Sequence, residues 1–214
     1  MAATTWSSVS IDVQSALATA MTVSGITKAN PGVVSFSGTD PSDGDFVVFP
    51  DLEGMTQMRD RVARVDNTIA STSFEVEGID TSGYGTWSDG DAQVITFGTS
   101  ISTFVDVSAS GGEPNFADIT TIHDNQIVEI PTTVSPFELS FESQFDVSSN
   151  ALTALNVISD NQTKAAVRIT FPNGNIVVFY AYITAALIPT GSAQDVVTTN
   201  VTMKATGRLT AYAS

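Results

Sequence analysis

Residues 166–171 read AVRITF, residues 172–175 read PNGN, and residues 176–184 read IVVFYAYIT. Branched and aromatic side chains dominate both runs, and these pack well on a pleated backbone. Between them stands Asn173-Gly174. Both residue types tolerate positive φ, so the chain can reverse within a few residues. The stretch predicts strand, tight turn, strand. Residues 195–207, DVVTTNVTMKATG, then alternate. Val197, Thr199, Val201, Met203 and Ala205 form one row, and Thr198, Asn200, Thr202 and Lys204 form the other. A period of two marks a strand with one buried and one wet face.

The same logic applies upstream. Residues 137–145, FELSFESQF, place Phe137, Leu139, Phe141 and Phe145 in one row, with Ser143 interrupting it, and Glu138, Ser140, Glu142 and Gln144 in the other. Residues 148–158 predict a helix. Ser148 or Ser149 can cap it, because a serine hydroxyl accepts from an otherwise unpaired amide of the first turn. Leu152, Leu155 and Ile158 supply its apolar stripe, and Asp160-Asn161 ends it. Residues 94–97 and 101–107 read as short strands, 108–125 as a long polar loop with Gly111-Gly112 and Pro114, and 127–130 as a run leading to Pro131. Residues 13–21, VQSALATAM, fit either a short helix or a strand.

Nearer the start, residues 33–36, 46–49, 61–65 and 73–76 read as short strands. Clusters of Gly, Pro, Asn and Asp separate them, so a small barrel or sandwich is expected. Three pieces follow: a lead-in at 1–21, a small all-β module at 22–97 and a main β domain at 98–214, where the one helix flanks the sheets. The fold class is mainly β.

Composition narrows the function. The chain has 214 residues, 42% of them hydrophobic and 14% charged, enough for a core in one large or two small β domains. No apolar run is long enough to cross a membrane as a helix. Residues 1–15 lack a basic segment followed by an apolar one, so no secretory signal is expected. With no cysteine there is neither disulfide nor thiolate chemistry, compatible with a reducing cytoplasm. The net charge of −15 argues against a nucleic-acid binder, because holding phosphates takes Lys and Arg. Residues 1–91 carry 13 acids and 4 bases, and residues 92–214 carry 10 and 4, so the acidity is spread along the chain. It serves solubility, or a surface that faces DNA without holding it.

Chemistry finds little footing. The single His123, beside Asp124, lies in the polar loop, and no nucleophile-elbow motif accompanies it. Asp40, Asp43 and Asp45 around Gly44 suit a turn better than a calcium loop, whose ligand spacing differs. Gly83 and Gly85 read as a tight turn, without a dinucleotide fingerprint. Arg59, Arg61 and Arg64, interleaved with Asp60 and Asp66, read as a salt-bridged strand face. Two glycosylation-like triplets, at Asn161 and Asn200, count as chance without a signal sequence. Neither an enzyme nor a cofactor or metal site is expected.

The wording ITFPNG-x-x-x-VF at 169–179, then D-V-V-T-x-x-V-T-x-K-x-x-G-R at 195–208, resembles the end of the tube-forming domain of lambda-like siphophage major tail tube proteins. The likeness spans roughly residues 92–214 in the order loop, strand, helix, hairpin, strand. It implies a β-sandwich or barrel with a flanking helix, six copies to a ring, and stacked rings whose lumen conducts phage DNA into the host. The partners it implies are further copies, the tape measure protein, and the tail tip and tail terminator proteins. The place it implies is the virion tail, assembled in the host cytoplasm. On this reading Glu138, Glu142, Thr198, Asn200 and Thr202 are lumen-facing candidates, and Glu113, Asp118, His123 and Asp124 are candidates for contact with the next ring. The runs GITKANPGVV, DGDFVVF and SFEVEGIDTSGYGTW of the small module resemble an insert of phage structural proteins that has been likened to a half-domain of ubiquitin-activating enzymes. This module is expected on the tube exterior. The alternative is a β-sandwich adhesion, receptor-binding or capsid-decoration module.

Overall fold

The computed structural model describes residues 6–185 and 188–213, so residues 1–5 of the expected lead-in lie outside it. The strands are β1 (Ser10–Leu17), β2 (Met21–Ile26), β3 (Gly32–Ser37), β4 (Phe46–Val48), β5 (Val62–Ile69), β6 (Ser73–Val76), β7 (Asp91–Ile101), β8 (Phe104–Ser110), β9 (Pro114–Asp118), β10 (Glu129–Val134) and β11 (Glu138–Gln144). The helix α1 (Asn150–Asp160) follows, then β12 (Lys164–Thr170), β13 (Ile176–Ala185), β14 (Thr198–Ala205) and β15 (Thr210–Tyr212). The chain is mainly β, with one α-helix among the described residues.

The predicted hairpin is β12–β13, paired from Lys164 with Tyr182 to Thr170 with Ile176. Its turn closes where the Gly174 amide donates to the Phe171 carbonyl at 2.9 Å. Gly174 has φ +83°, whereas Asn173 stays at negative φ. Pro172 explains this, because its ring fixes φ near −65° and rules out a turn with positive φ at both central residues. The result is a type I turn followed by one left-handed glycine. Along β13, Phe179, Ala181 and Ile183 point into one core, while Val178 and Tyr180 point into another. That is why this strand reads as an unbroken apolar run rather than an alternation.

Most strands join one continuous antiparallel path: β2-β3-β6-β5-β4-β7-β1-β12-β13-β14-β11-β8. The first six form a closed barrel, because β7 also pairs back to β2 through Met21 with Ala92. Phe49, Leu52, Met55, Phe74 and Ile79 fill this small barrel. The later half of β7 pairs with β1. From there the sheet continues to β8, curling around a second core of Ile11, Phe141, Val167, Phe179, Val201 and Met203. Helix α1 closes that core with Leu155 and packs Ala151 and Ile158 against it. Ser149 caps the helix, accepting from the Leu152 amide at 3.5 Å. Trp6 lies against Phe171, ring centroids 5.7 Å apart, which anchors the entering chain to the hairpin.

A third cluster joins barrel and body. Phe46, Val48, Val62 and Ile95 of the barrel pack on Ala166, Val178, Tyr180 and Tyr212. Polar bonds cross the same junction. Lys164 Nζ reaches both Asp60 oxygens, at 3.0 and 2.8 Å. Arg61 Nε donates to Thr210 Oγ1 at 3.0 Å, and the Arg64 amide to Tyr212 Oη at 2.7 Å. Arg168 pairs with Asp12 at 2.9 Å and lies 4.6 Å above the Phe97 ring.

Several expectations are corrected. The choice left open at residues 13–21 falls to strand: they end β1 and begin β2. The two short strands at 94–97 and 101–107 are one long β7 and a separate β8. Ser143 does not interrupt its row. It is buried, its hydroxyl 3.0 Å from that of Thr103. The last long strand begins at Thr198, and Asp195 is taken up instead in a turn back to Ser192. The arginine cluster is not internally paired with Asp60 and Asp66. Arg64 forks onto Glu77, whose carboxyl it holds below the usual range, and Asp60 belongs to Lys164. Residues 108–125 are no simple loop, because β9 and β10 pair as a separate two-stranded ribbon. Its Pro131 still allows pairing, since a two-stranded ribbon is all edge and one missing amide is tolerated there.

Candidate assembly surfaces

Two surfaces stand out. The first is the outward face of the curled sheet at β8, β11 and β14. Register puts Glu138 across from Lys204, Ser140 from Thr202, Glu142 from Asn200 and Gln144 from Thr198. Directly opposed residues share a face, so Glu138, Glu142, Thr198, Asn200 and Thr202 lie together. Thr198 Oγ1 donates to Glu142 Oε2 at 3.1 Å. On the other side of β11, Asp106 stands opposite Glu142 and Ser108 opposite Ser140. The Ser108 and Ser140 hydroxyls are 2.8 Å apart. Sequence reasoning missed Asp106 and Ser108 because β8 alternates weakly, Val105 being exposed and Val107 only partly buried. The face presents hydroxyls and amides, three carboxylates and one ammonium. Fixed negative charge of this kind repels phosphates.

The second surface is the ribbon. Hydrogen bonds at its base run from the Gly112 amide to the Ser135 carbonyl and from the Ser135 amide to the Glu113 carbonyl. Glu113, Asp118, His123 and Asp124 all lie on it, exposed. Asp118 accepts from the Thr120 amide at 2.8 Å, and Asp124 accepts from both the Thr121 amide and hydroxyl at 2.8 Å. These bonds hold both carboxyls below the usual aspartate range. The Asp124 carboxylate thus shapes the tip rather than orienting the His123 imidazole. The ribbon also carries Phe116, Ile119, Ile122, Ile127, Val128, Ile130 and Val134. These are seven of the sixteen exposed large apolar side chains among the described residues, and Ile122 is 96% exposed. So many unburied apolar side chains on one protruding element mark a contact surface.

The remaining sequence candidates shape loops. Asp40 accepts from the Ser71 amide at 2.7 Å, Asp43 from the Thr68 amide at 2.8 Å and Asp45 from the Ser42 amide at 2.9 Å. Backbone donors therefore engage these carboxylates. Gly83 lies in a turn closed by the Tyr84 amide on the Thr81 carbonyl. Among the described residues no three His, Asp or Glu side chains converge on a metal position.

No curated protein matches the chain. The model of the phage tail tube protein family matches residues 53–214, from within the small barrel through β15. That match covers most of the length: the chain belongs to the phage tail tube protein family, whose members are structural, non-enzymatic components of the virion tail that assemble into a tube.

Proposed function

We propose that this chain is the major tail tube subunit of a lambda-like siphophage. Six copies form a ring, rings stack, and the lumen conducts DNA into the host. The observation that supports this reading is the union of two unlike surfaces in one subunit: a polar face of the curled sheet, poor in cations, and a separate ribbon rich in unburied apolar side chains. The polar face at β8, β11 and β14 lines the lumen, where Glu138 and Glu142 repel the phosphates of passing DNA while Thr198, Asn200 and Thr202 keep the wall wet. The ribbon, with Glu113, Asp118, His123 and Asp124, reaches the next ring. Residues 1–21 and 98–214 form the tube body. The small barrel, residues 22–97, is an insert on the exterior. Its packing on β12, β13 and β15, away from the β8 edge, supports that place. The tube subunit meets the tape measure protein inside the tube and the tip and terminator proteins at its ends, and assembles in the host cytoplasm.

Negative-stain electron microscopy of the concentrated protein, with and without a tail-tip template, tests this. Hollow six-fold rings or tubes are expected. Closed trimers without a lumen, or single particles even with the template, would overturn it.

A further inference from the structure

A groove of about 730 Å3 opens where three parts of the molecule meet. Its walls are the single 3-10 turn of the small barrel (Thr56–Met58), the base of the ribbon and the link from β14 to β15. Phe137 and Leu209 give it an apolar floor, and Arg59 and Arg208 line its rim. Arg208 has neither hydrogen bond nor ion pair among the described residues, and Arg59 uses only Nε, on the Leu52 carbonyl at 2.8 Å. Two arginines without a carboxylate partner thus converge on one partly apolar groove, in a chain that carries only eight Lys and Arg.

The ribbon is the chemical complement. Residues 111–136 carry four carboxylates, at Glu113, Asp118, Asp124 and Glu129, and neither Lys nor Arg. They also hold the seven exposed apolar side chains. A ribbon cannot fill the groove at its own base. Ten residues separate Gly112 from Ile122, roughly 33 Å of extended chain. Folding back would break the β9–β10 pairing.

We propose that the ribbon tip of one copy docks in this groove of a second copy, its apolar side chains on Phe137 and Leu209 and its carboxylates on Arg59 and Arg208. This rests on the tube reading and specifies the receiving surface. It also makes the small barrel part of the stacking contact, through Arg59. A tip-to-base contact is head-to-tail: each copy offers one tip and one groove, so between copies of successive rings, where no rotation closes it, the contact repeats along an open stack. That is the symmetry a stack of rings needs.

Disulfide trapping tests it cleanly, because the chain has no cysteine. Ile122→Cys and Arg208→Cys variants of the full chain, mixed and oxidised, are expected to give a cross-linked dimer. Ile69→Cys, on the exposed end of β5, mixed with Ile122→Cys is expected to give none. Arg208→Glu, which breaks no bond within the chain, should raise the concentration needed for stacking about a hundredfold. Mixing it with Asp124→Arg should recover stacking. Tubes that form normally with Arg208→Glu and show no Ile122–Arg208 cross-link would overturn the groove while leaving the tube reading intact. A cross-link in a protein that never forms rings or tubes would overturn the tube reading and keep the groove. Neither tubes nor cross-link would overturn both.

Discussion

Gly207 shows how tightly the two cores are joined. A Cβ at this position would lie 2.2 Å from the Asp60 carbonyl oxygen and 3.0 Å from the Arg61 amide nitrogen. Both are backbone atoms, so neither can swing aside. Gly207→Ala is expected to cost about 1–3 kcal/mol, the usual range for overpacking, read as a lower urea midpoint with an unchanged slope. Beside it, Lys164 answers the Asp60 carboxylate, which is only 9% exposed. Lys164→Met would leave that charge without its cation at a nearly dry junction. Removing one partner of a buried pair costs about 3–5 kcal/mol, and the 29% exposure of Lys164 puts the expected loss at the low end, about 3 kcal/mol. Tyr212 completes the set. Phe at this position would keep the ring against Phe46 and leave the Arg64 amide without its acceptor, so a smaller loss of about 1–3 kcal/mol is expected. Equal losses for Lys164→Met and Tyr212→Phe would mean that the Lys164–Asp60 charge pair contributes no more to the junction than the Arg64–Tyr212 hydrogen bond.

The ribbon behaves differently from every other element, since it stands on edge pairing and tip hydrogen bonds rather than on a core. Its tip has a pH signature. The folded-state pKa values of Asp118 and Asp124 lie below the ordinary 3.8, held there by the hydroxyls and amides of Thr120 and Thr121. A depressed carboxylate stabilises the folded tip above its unfolded pKa, and that contribution is lost as pH falls through the depressed value. The tip is therefore expected to stay ordered at pH 4 to 5 and loosen only below about 3.8. The amide NMR shifts of Thr120 and Thr121 should titrate together with a midpoint under 3.8. A midpoint at or above it would mean that the Asp–Thr bonds do not form in solution. Ile122→Ser should separate folding from assembly: at 96% exposure, its effect on monomer stability should stay within about 0.5 kcal/mol, while stacking weakens. The ribbon is also where the sequence was least legible. FELSFESQF and DVVTTNVTMKATG announced themselves because burial on one face enforces a period of two. PNFAD and EIPTTV have no such face within the subunit, so no internal core imposes a pattern on them. The sequence likewise left open whether the small module is a barrel or a sandwich, because one strand, β7, serves both cores and its halves answer to different partners.

Across the whole molecule, charge is distributed in a way that folding alone does not ask for. Asp106 and Glu142 face each other directly on adjacent strands, both exposed, and like charges so placed disfavour the sheet by some tenths of a kcal/mol. Lys204, the one cation on this face, stands opposite Glu138 and leaves that repulsion uncompensated. The lumen proposal gives the pair a role: repulsion tolerated within the subunit becomes repulsion of phosphates in the channel. Replacing both, Asp106→Lys with Glu142→Lys, exchanges one like-charged pair for another. The cross-strand repulsion stays comparable, so the fold and tube assembly should survive. The face, however, changes from three carboxylates against one ammonium to one against three. Repeated around a ring and along a stack, those lysines would line the channel with phosphate-binding cations, each adding to a salt-dependent affinity. Purified variant tubes are therefore expected to retain DNA at low salt and release it as salt rises. Particles built from them should eject DNA more slowly than the parent at low ionic strength. Variant tubes that assemble normally, bind no DNA and eject at the parental rate would place this face away from the DNA path, and the acidic pair would then have to belong to the outer wall.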